Sequence, residues 1–343
     1  MTSKRAQTHN ISGDSSAFTA LVESYRRELH LHCYRLLGSL HEAEDMVQET
    51  MLRAWQHSDT FKGQASVRTW LYRIATNVCL DALKKRSSRT LPVMASPQAD
   101  PYLPLAPAWA ESTWLEPYPD SWLAEATEDP AARYSRRESV SLAFLTVLQL
   151  LPPRQRAILI LSDVLDWRAS EIASLLSISV SAVNSALHRA RVSMEKQYHT
   201  DDRERREKLE VDAATQALLD RYLHAWETED VDGLVALMKE DATFTMPPSP
   251  SWYQGREAIR AQITTHGLAP ELQHRWFFLP TGSNGGPAFA VYRAIGASGP
   301  AQAFGMQVLT LECSASDVRI ADVTTYLDPS LFPSFGFPPD LPE

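Results

Sequence analysis

A chain of 343 residues exceeds one ordinary domain, and its 44% hydrophobic content supplies real cores, which excludes a disordered protein. The net charge of −9 argues against a protein that holds duplex DNA unaided, because phosphate contacts dominate such affinity. No apolar run reaches the roughly 18 residues of a membrane span, and the opening residues lack the apolar stretch of a secretory signal, so no membrane partner is expected. Split by region, the charge is +3 over 17–89, −6 over 90–135, +2 over 136–210 and −9 over 211–343. Two mildly basic segments thus alternate with two acidic ones. Cys33, Cys79 and Cys313 are scattered through apolar patterns, as buried thiols in a reducing cytoplasm would be. Their spacing suits no metal, and the sequence points to no metal, cofactor or catalytic residue.

Residues 1–16 read as a disordered tail. From Ala17 to Leu37 the positions Phe18, Leu21, Val22, Tyr25, Leu29, Cys33 and Leu36 have helical spacing, and Gly38 stands where a left-handed cap belongs. The stretch from His41 to Arg86 then predicts two amphipathic helices joined by a short loop. In the first, Val47, Thr50, Met51 and Ala54 form the core stripe, and Glu42, Asp45, Gln48, Glu49 and Arg53 an acidic, hydrogen-bonding outer face. In the second, Trp70, Leu71, Ile74, Val78, Ala82 and Leu83 face inward, while Arg73, Asn77, Asp81 and Lys84 or Lys85 line up one turn apart outside. Trp55 and Trp70 read first as core side chains.

These residues, "AEDMVQETMLRAW" followed by "FKGQASVRTWLYRIATNVCLDALKKR", closely resemble region two of bacterial RNA polymerase sigma factors of the extracytoplasmic-function (ECF) group, sigma-70 family. The resemblance implies that Asp45, Gln48, Glu49 and Arg53 dock on core RNA polymerase. It also implies that Phe61, Lys62, Arg68, Trp70, Arg73, Asn77, Lys84, Lys85 and Arg86 open and read the −10 promoter element as a single strand. The physics agrees with that role. Unstacking a base costs a few kcal/mol, recovered in an aromatic or apolar pocket with edge hydrogen bonds. Asn77 has an amide that reads a base edge, whereas Lys and Arg mostly address phosphates. Asp81 would be repelled by phosphate, so it is expected to orient Arg73 or Asn77.

Residues 89–137 form an acidic linker in which eight prolines rule out long helices. Its aromatics, Tyr102, Trp109, Trp114, Tyr118 and Trp122, are too many for an inert spacer. The run "WLEPYPDSWL", Trp114 to Leu123, reads as a docking peptide, either for the polymerase cleft or for the chain's own C-terminal domain.

Over 138–196, Leu142, Leu145, Leu148 and Leu151 lead into Pro152-Pro153, which stop one helix and start the next. A helix-turn-helix follows. Ile172, Ala173 and Leu176 mark its first helix, Ser177 to Ser179 its turn, and Val183, Leu187 and Met194 the buried side of its second. Ser181, Asn184, Ser185, His188, Arg189 and Arg191 then face outward, where a recognition helix meets duplex DNA. The unit resembles region four of ECF sigma factors, which implies reading of the −35 element. It departs from the family at Ser177, commonly Gly and costlier if φ is positive, and at "SAVNSALHRAR", where Asn184 and Ala186 replace two usual basic residues.

Residues 197–210 read as a charged helical bridge. From 211 the pattern is two helices, a strand, a turn, a third helix and four alternating strands. That order, with "G-x-x-A-I" and the final "I-A-D-V" strand, resembles the SnoaL-like polyketide cyclase fold, a cone of curved sheet and helices enclosing a pocket. Tyr222, Trp226, Trp252, Tyr292 and Asp322 are the expected pocket lining, open to a small-molecule ligand. The predicted architecture is therefore two all-α domains, 17–88 and 138–196, followed by an α+β cone, 211–343. The expected function is that of an ECF-type sigma factor whose C-terminal domain modulates it. The alternative reading is a stand-alone helix-turn-helix regulator with a ligand-sensing domain.

Overall fold

The computed structural model describes residues 15–58, 61, 66–84, 88–109, 114–123, 139–197, 213–269, 273–296, 299–313 and 317–341. The tail up to residue 14 and the bridge 198–210 lie outside them. The chain forms two compact units, residues 1–89 with 147–196, and residues 90–146 with 197–343. This cuts the chain differently from the predicted segments: the two helical regions share one unit, and the linker belongs with the cone. Among the described residues no single helix is long and apolar enough to cross a membrane.

In the first unit, α1 (Ser15–Glu23) and α2 (Arg26–Leu37) replace the single predicted helix. Ser24 Oγ turns back to the Leu21 carbonyl at 2.6 Å, a local bond that competes with helix continuation. Gly38, at φ 72°, closes α2. Ser39 caps α3 (Leu40–Gln56) by accepting from Glu42 N, and Ser66 caps α4 (Val67–Leu83) by accepting from Thr69 N. Leu29, Cys33, Leu36, Ala43, Val47, Leu71, Ala75 and Cys79 are all fully buried where α2, α3 and α4 meet. His32 crosses that core, its Nε2 2.9 Å from Thr76 Oγ1.

After α6 (Leu142–Gln149), the same unit holds α7 (Pro153–Leu159), a wide turn over Ile160–Val164, α8 (Ala169–Leu176) and α9 (Val180–Gln197). Arg156 ties these to α2. It is fully buried, donates through Nη1 to Leu36 O at 2.5 Å and to Gln149 Oε1, and through Nη2 to Gln149 O at 2.6 Å and Leu151 O at 3.2 Å. Every one of these partners is neutral, so burial lowers the Arg156 pKa to about 10. Gln149 Nε2 adds a bond to Arg35 O, and Trp167 packs on Tyr72 at 5.6 Å.

The second unit contains α5 (Pro92–Ala95) of the linker, α10 (Ala213–Glu227), α11 (Val231–Ala236), α12 (Arg256–Gln262) and a six-stranded sheet. Its strands are β1 (Met238–Thr245), β2 (Trp252–Gln254), β3 (His274–Ser283), β4 (Gly286–Ile295), β5 (Gln302–Cys313) and β6 (Val318–Tyr326), in the order β2-β1-β6-β5-β4-β3. Only β1 and β6 run parallel; the other neighbours are antiparallel. Alternation decides what each face buries. Phe289, Val291, Leu309 and Val323 point toward the helices, where Tyr222 stacks on Phe289 at 5.8 Å and Trp226 lies 5.0 Å from Phe278. Tyr292 points the other way, against Phe332 of the closing turn Pro329–Phe335 at 5.1 Å. Asn284 and Gly285, both at positive φ, join β3 to β4 in a two-residue hairpin, the conformation Asn-Gly favours.

Candidate polymerase and nucleic-acid surfaces

On α3 the core spacing leaves Asp45 and Gln48 exposed, with Glu49 and Arg53 beside them in an i,i+4 ion pair at 2.7 Å. Asp45, Gln48, Leu52 and Trp55 follow at intervals of three and four, one continuous outward stripe. Leu52 is 49% exposed and Trp55 61%, so Trp55 is not the core residue its apolar neighbours suggested. The stripe is thus apolar at its C-terminal end, a feature that hydrophobicity alone assigned to the inside. Glu42 is drawn away from it by a 2.9 Å ion pair to Arg89, and Glu44 by a 2.7 Å pair to Arg26.

On α4, Arg73 and Asn77 stand exposed one turn apart, and Phe61 lies 5.1 Å from Trp70 at the helix start. Both rings are half-buried, so Trp70 combines packing with an open edge. Arg68 is held by Glu28 and stands 5.0 Å over the Tyr72 ring. Asp81 accepts from Lys84 Nζ at 2.8 Å. Lys62, Lys85 and Arg86 lie outside the described residues.

On α9, Ser181, Asn184, Ser185, His188 and Arg189 are all exposed, and Val183, Ala186 and Ala190 buried. Ala186 faces the core, so of the two positions where the family has a basic residue Asn184 is the exposed one. Arg191 is exposed but occupied: its guanidinium meets both oxygens of Asp163, at 2.7 and 2.9 Å. Ser177 takes φ 55°, the left-handed value that the family's Gly accepts without strain.

The five residues expected to line a pocket are spread over both faces of the sheet. Tyr222 is buried, donating to Gln307 Oε1 at 2.7 Å, and Trp226 fills the interior beside it. Tyr292 lies on the opposite sheet face and donates to Pro338 O at 2.8 Å. Asp322, paired in register with Thr243 on the face away from Val323, accepts from Thr243 Oγ1 at 2.6 Å. Trp252 donates through Nε1 to Ser96 O of the linker at 2.8 Å. Helical and strand periodicity found aromatic positions correctly but does not report which of them fill space rather than enclose it.

The linker itself is the built feature of this unit. Trp114, Leu115 and Tyr118 are buried, and Trp109 stacks on Trp114 at 4.8 Å. Trp114 Nε1 donates to Pro248 O at 2.8 Å, and Ala106 exchanges bonds with the hydroxyls of Ser249 and Ser251. The hairpin turn grips the other end. Tyr118 N donates to Asn284 Oδ1 at 2.9 Å, Asn284 N returns a bond to Tyr118 O at 3.0 Å, and Gly285 N donates to Asp120 Oδ1 at 2.8 Å. Asn284 Nδ2 also reaches Val140 O at 2.6 Å. Of the two docking sites left open for "WLEPYPDSWL", the chain's own C-terminal domain is the one occupied. The Asn-Gly pair at 284–285 was the available signal for the receiving turn.

Models of known families match three stretches: Sigma-70 region 2 over residues 21–89, Sigma-70, region 4 over 141–194, and a SnoaL-like domain over 219–322. The chain is 44% identical over 328 residues to the ECF RNA polymerase sigma factor SigG of Mycobacterium tuberculosis, covering 94% of this chain and 85% of that one. It is 31% identical over 187 residues to the ECF RNA polymerase sigma factor SigW of Bacillus subtilis, 54% of this chain and 90% of the relative. The crystal structure of the Mycobacterium tuberculosis extracytoplasmic function sigma factor SigJ shares the fold, with a TM-score of 0.55 and 21% identity over 93% of this chain and 99% of that one.

Two sigma-type helical regions joined to a cone-shaped α+β domain define the class: a sigma factor with a C-terminal extension. More narrowly, the chain belongs to the ECF RNA polymerase sigma factors, and the stand-alone regulator is not favoured.

Proposed function

We propose that this chain binds core RNA polymerase through the exposed stripe of α3 (Asp45, Gln48, Leu52 and Trp55, flanked by the Glu49–Arg53 pair) and directs it to promoters in the cytoplasm. In this reading Phe61, Trp70, Arg73 and Asn77 receive the single-stranded −10 element. Ser181, Asn184, Ser185, His188 and Arg189 read the −35 duplex from the major groove, with phosphates met by arginine and bases by the amides and hydroxyls. Arg68, Lys84 and Arg191 join the DNA surface only by exchanging Glu28, Asp81 and Asp163 for phosphate. The weak basic balance of the helical segments suits a subunit whose partner holds most of the DNA.

The cone domain regulates this activity by holding the linker. The observation that carries the reading is the reciprocal hydrogen bonding of Tyr118 and Asn284, backed by the Asp120–Gly285 bond. A linker so engaged is unavailable to any other channel, and its release costs about 1 kcal/mol per hydrogen bond net. Run-off transcription with core polymerase, comparing the full chain, a chain ending at Lys196, and Asn284→Ala, tests it. Promoter output should change in the same direction for both altered chains. Unchanged output together with unchanged polymerase affinity would discard the regulatory role. No catalytic constellation is proposed for the cone, and a small-molecule ligand in its filled interior is not part of this reading.

A further inference from the structure

The cone domain is acidic, with 7 basic against 16 acidic residues over 211–343. Five of those seven cations are held by carboxylates or carbonyls: Lys239 by Glu312, Arg260 by Asp232, Arg319 by Asp317, Arg256 by the Met238 carbonyl and Arg275 by the carbonyls of Gly296 and Gly299. Arg221 is exposed on α10. Arg293 is different. It is half-buried in a cleft of about 190 Å³ formed with Ile295, Gly299, Pro300, Gln302 and Phe304, and among the described residues no carboxylate pairs with it. Its guanidinium stands 4.9 Å over the Phe304 ring.

Phe304 continues into an aromatic row, edge-on to Trp276 at 4.9 Å, with His274 edge-on to Trp276 at 5.5 Å. His274 Nδ1 is buried without a hydrogen-bond partner among the described residues. Burial, then the charge of Arg293, lowers the His274 pKa. The rim is fixed in advance, because Arg275 clamps the carbonyls of Gly296 and Gly299 at 2.9 and 3.0 Å and Gly296 N donates to Gln273 O at 2.9 Å. Preorganisation of this kind lowers the cost of binding.

We propose that this cleft at the β4–β5 edge binds a small organic carboxylate with a flat apolar body, its head on Arg293 and its body against Phe304 and Ile295. Arg293 is the one charged side chain among the residues lining the cleft, which suits a monoanion; a phosphate dianion is less favoured in a domain with 16 acidic against 7 basic residues. The binding is independent of the regulatory reading above, since it is read on the ligand and not on transcription.

Isothermal titration of the full chain at pH 7.5 with benzoate and with its neutral counterpart benzamide tests the assignment. Benzoate should bind at one saturable site, and benzamide at least about tenfold more weakly, the ratio expected for losing a charged hydrogen bond. Arg293→Gln should weaken benzoate by about tenfold or more, and Arg293→Lys, which keeps a cation, by less. Absence of saturable benzoate binding, equal affinities for benzoate and benzamide, or an unaffected Arg293→Gln variant would each overturn it. Should the variant fold poorly, the benzoate–benzamide pair on the unaltered chain decides alone.

Discussion

Ser177 holds φ 55° to let the chain turn between the helices of the reading motif, and an L-residue there costs about 1–2 kcal/mol. Its side chain plays no visible part in that turn. Ser177→Gly should therefore raise stability by about 0.5–1 kcal/mol after the extra freedom of the unfolded glycine is offset, measured as a rise of a few degrees in melting temperature. No rise, or a fall, would show the serine to be needed. Histidine sets a second residue-scale expectation. Burial, then Arg35 and Arg68, lowers His32 to a pKa of about 3, and burial lowers His30 to about 4 despite Glu44. Both would titrate near 6.5 when unfolded, so below that pH the unfolded chain binds protons the folded chain refuses. Their stabilising contribution is complete above pH 6.5 and is lost progressively as pH falls toward 4 and then 3. Melting temperatures taken from pH 7.5 to 5 should decline, and His32→Gln should flatten the decline.

At the scale of elements, Arg156 joins the two helical regions through acceptors on α2 and on the turn after Gln149. Arg156→Met leaves several buried carbonyls without a donor at once and should cost about 3 kcal/mol. Hydrogen exchange should quicken at the C-terminal end of α2, and unchanged protection there would contradict the joint. The linker offers a parallel expectation. A β-carbon at Gly282 would meet the Asp120 carboxylate at 2.8 Å, so Gly282→Ala should loosen that end and make residues 114–123 more susceptible to limited proteolysis. Much of this level was legible beforehand. Gly38 and Pro153 mark helix ends by local chemistry, and alternating strands read cleanly from Trp276 to Tyr326. The joint and the linker dock were not legible, because Arg156–Leu36 and Tyr118–Asn284 are contacts between residues far apart in sequence. Trp55 was misread because apolar character marks a side chain for burial, whereas at 61% exposed it stands on the outer stripe of α3.

On the scale of the whole molecule, the two helical regions carry the exposed residues proposed to meet polymerase and promoter, while the acidic cone keeps hold of the acidic linker. Families of resemblance supplied the roles of α3, α4 and α9; composition alone gave only alternating charge. The claim beneath all of this is that the stripe on α3 is a docking surface for a larger enzyme. Fluorescence anisotropy of the labelled full chain titrated with core RNA polymerase tests it most directly, comparing the unaltered chain with Asp45→Lys/Glu49→Lys. Saturable binding weakened about tenfold or more by the double reversal is the expected result, the loss that like-charge or unpaired contacts at an interface bring. Equal affinity of the two chains, or no binding by either, would contradict it.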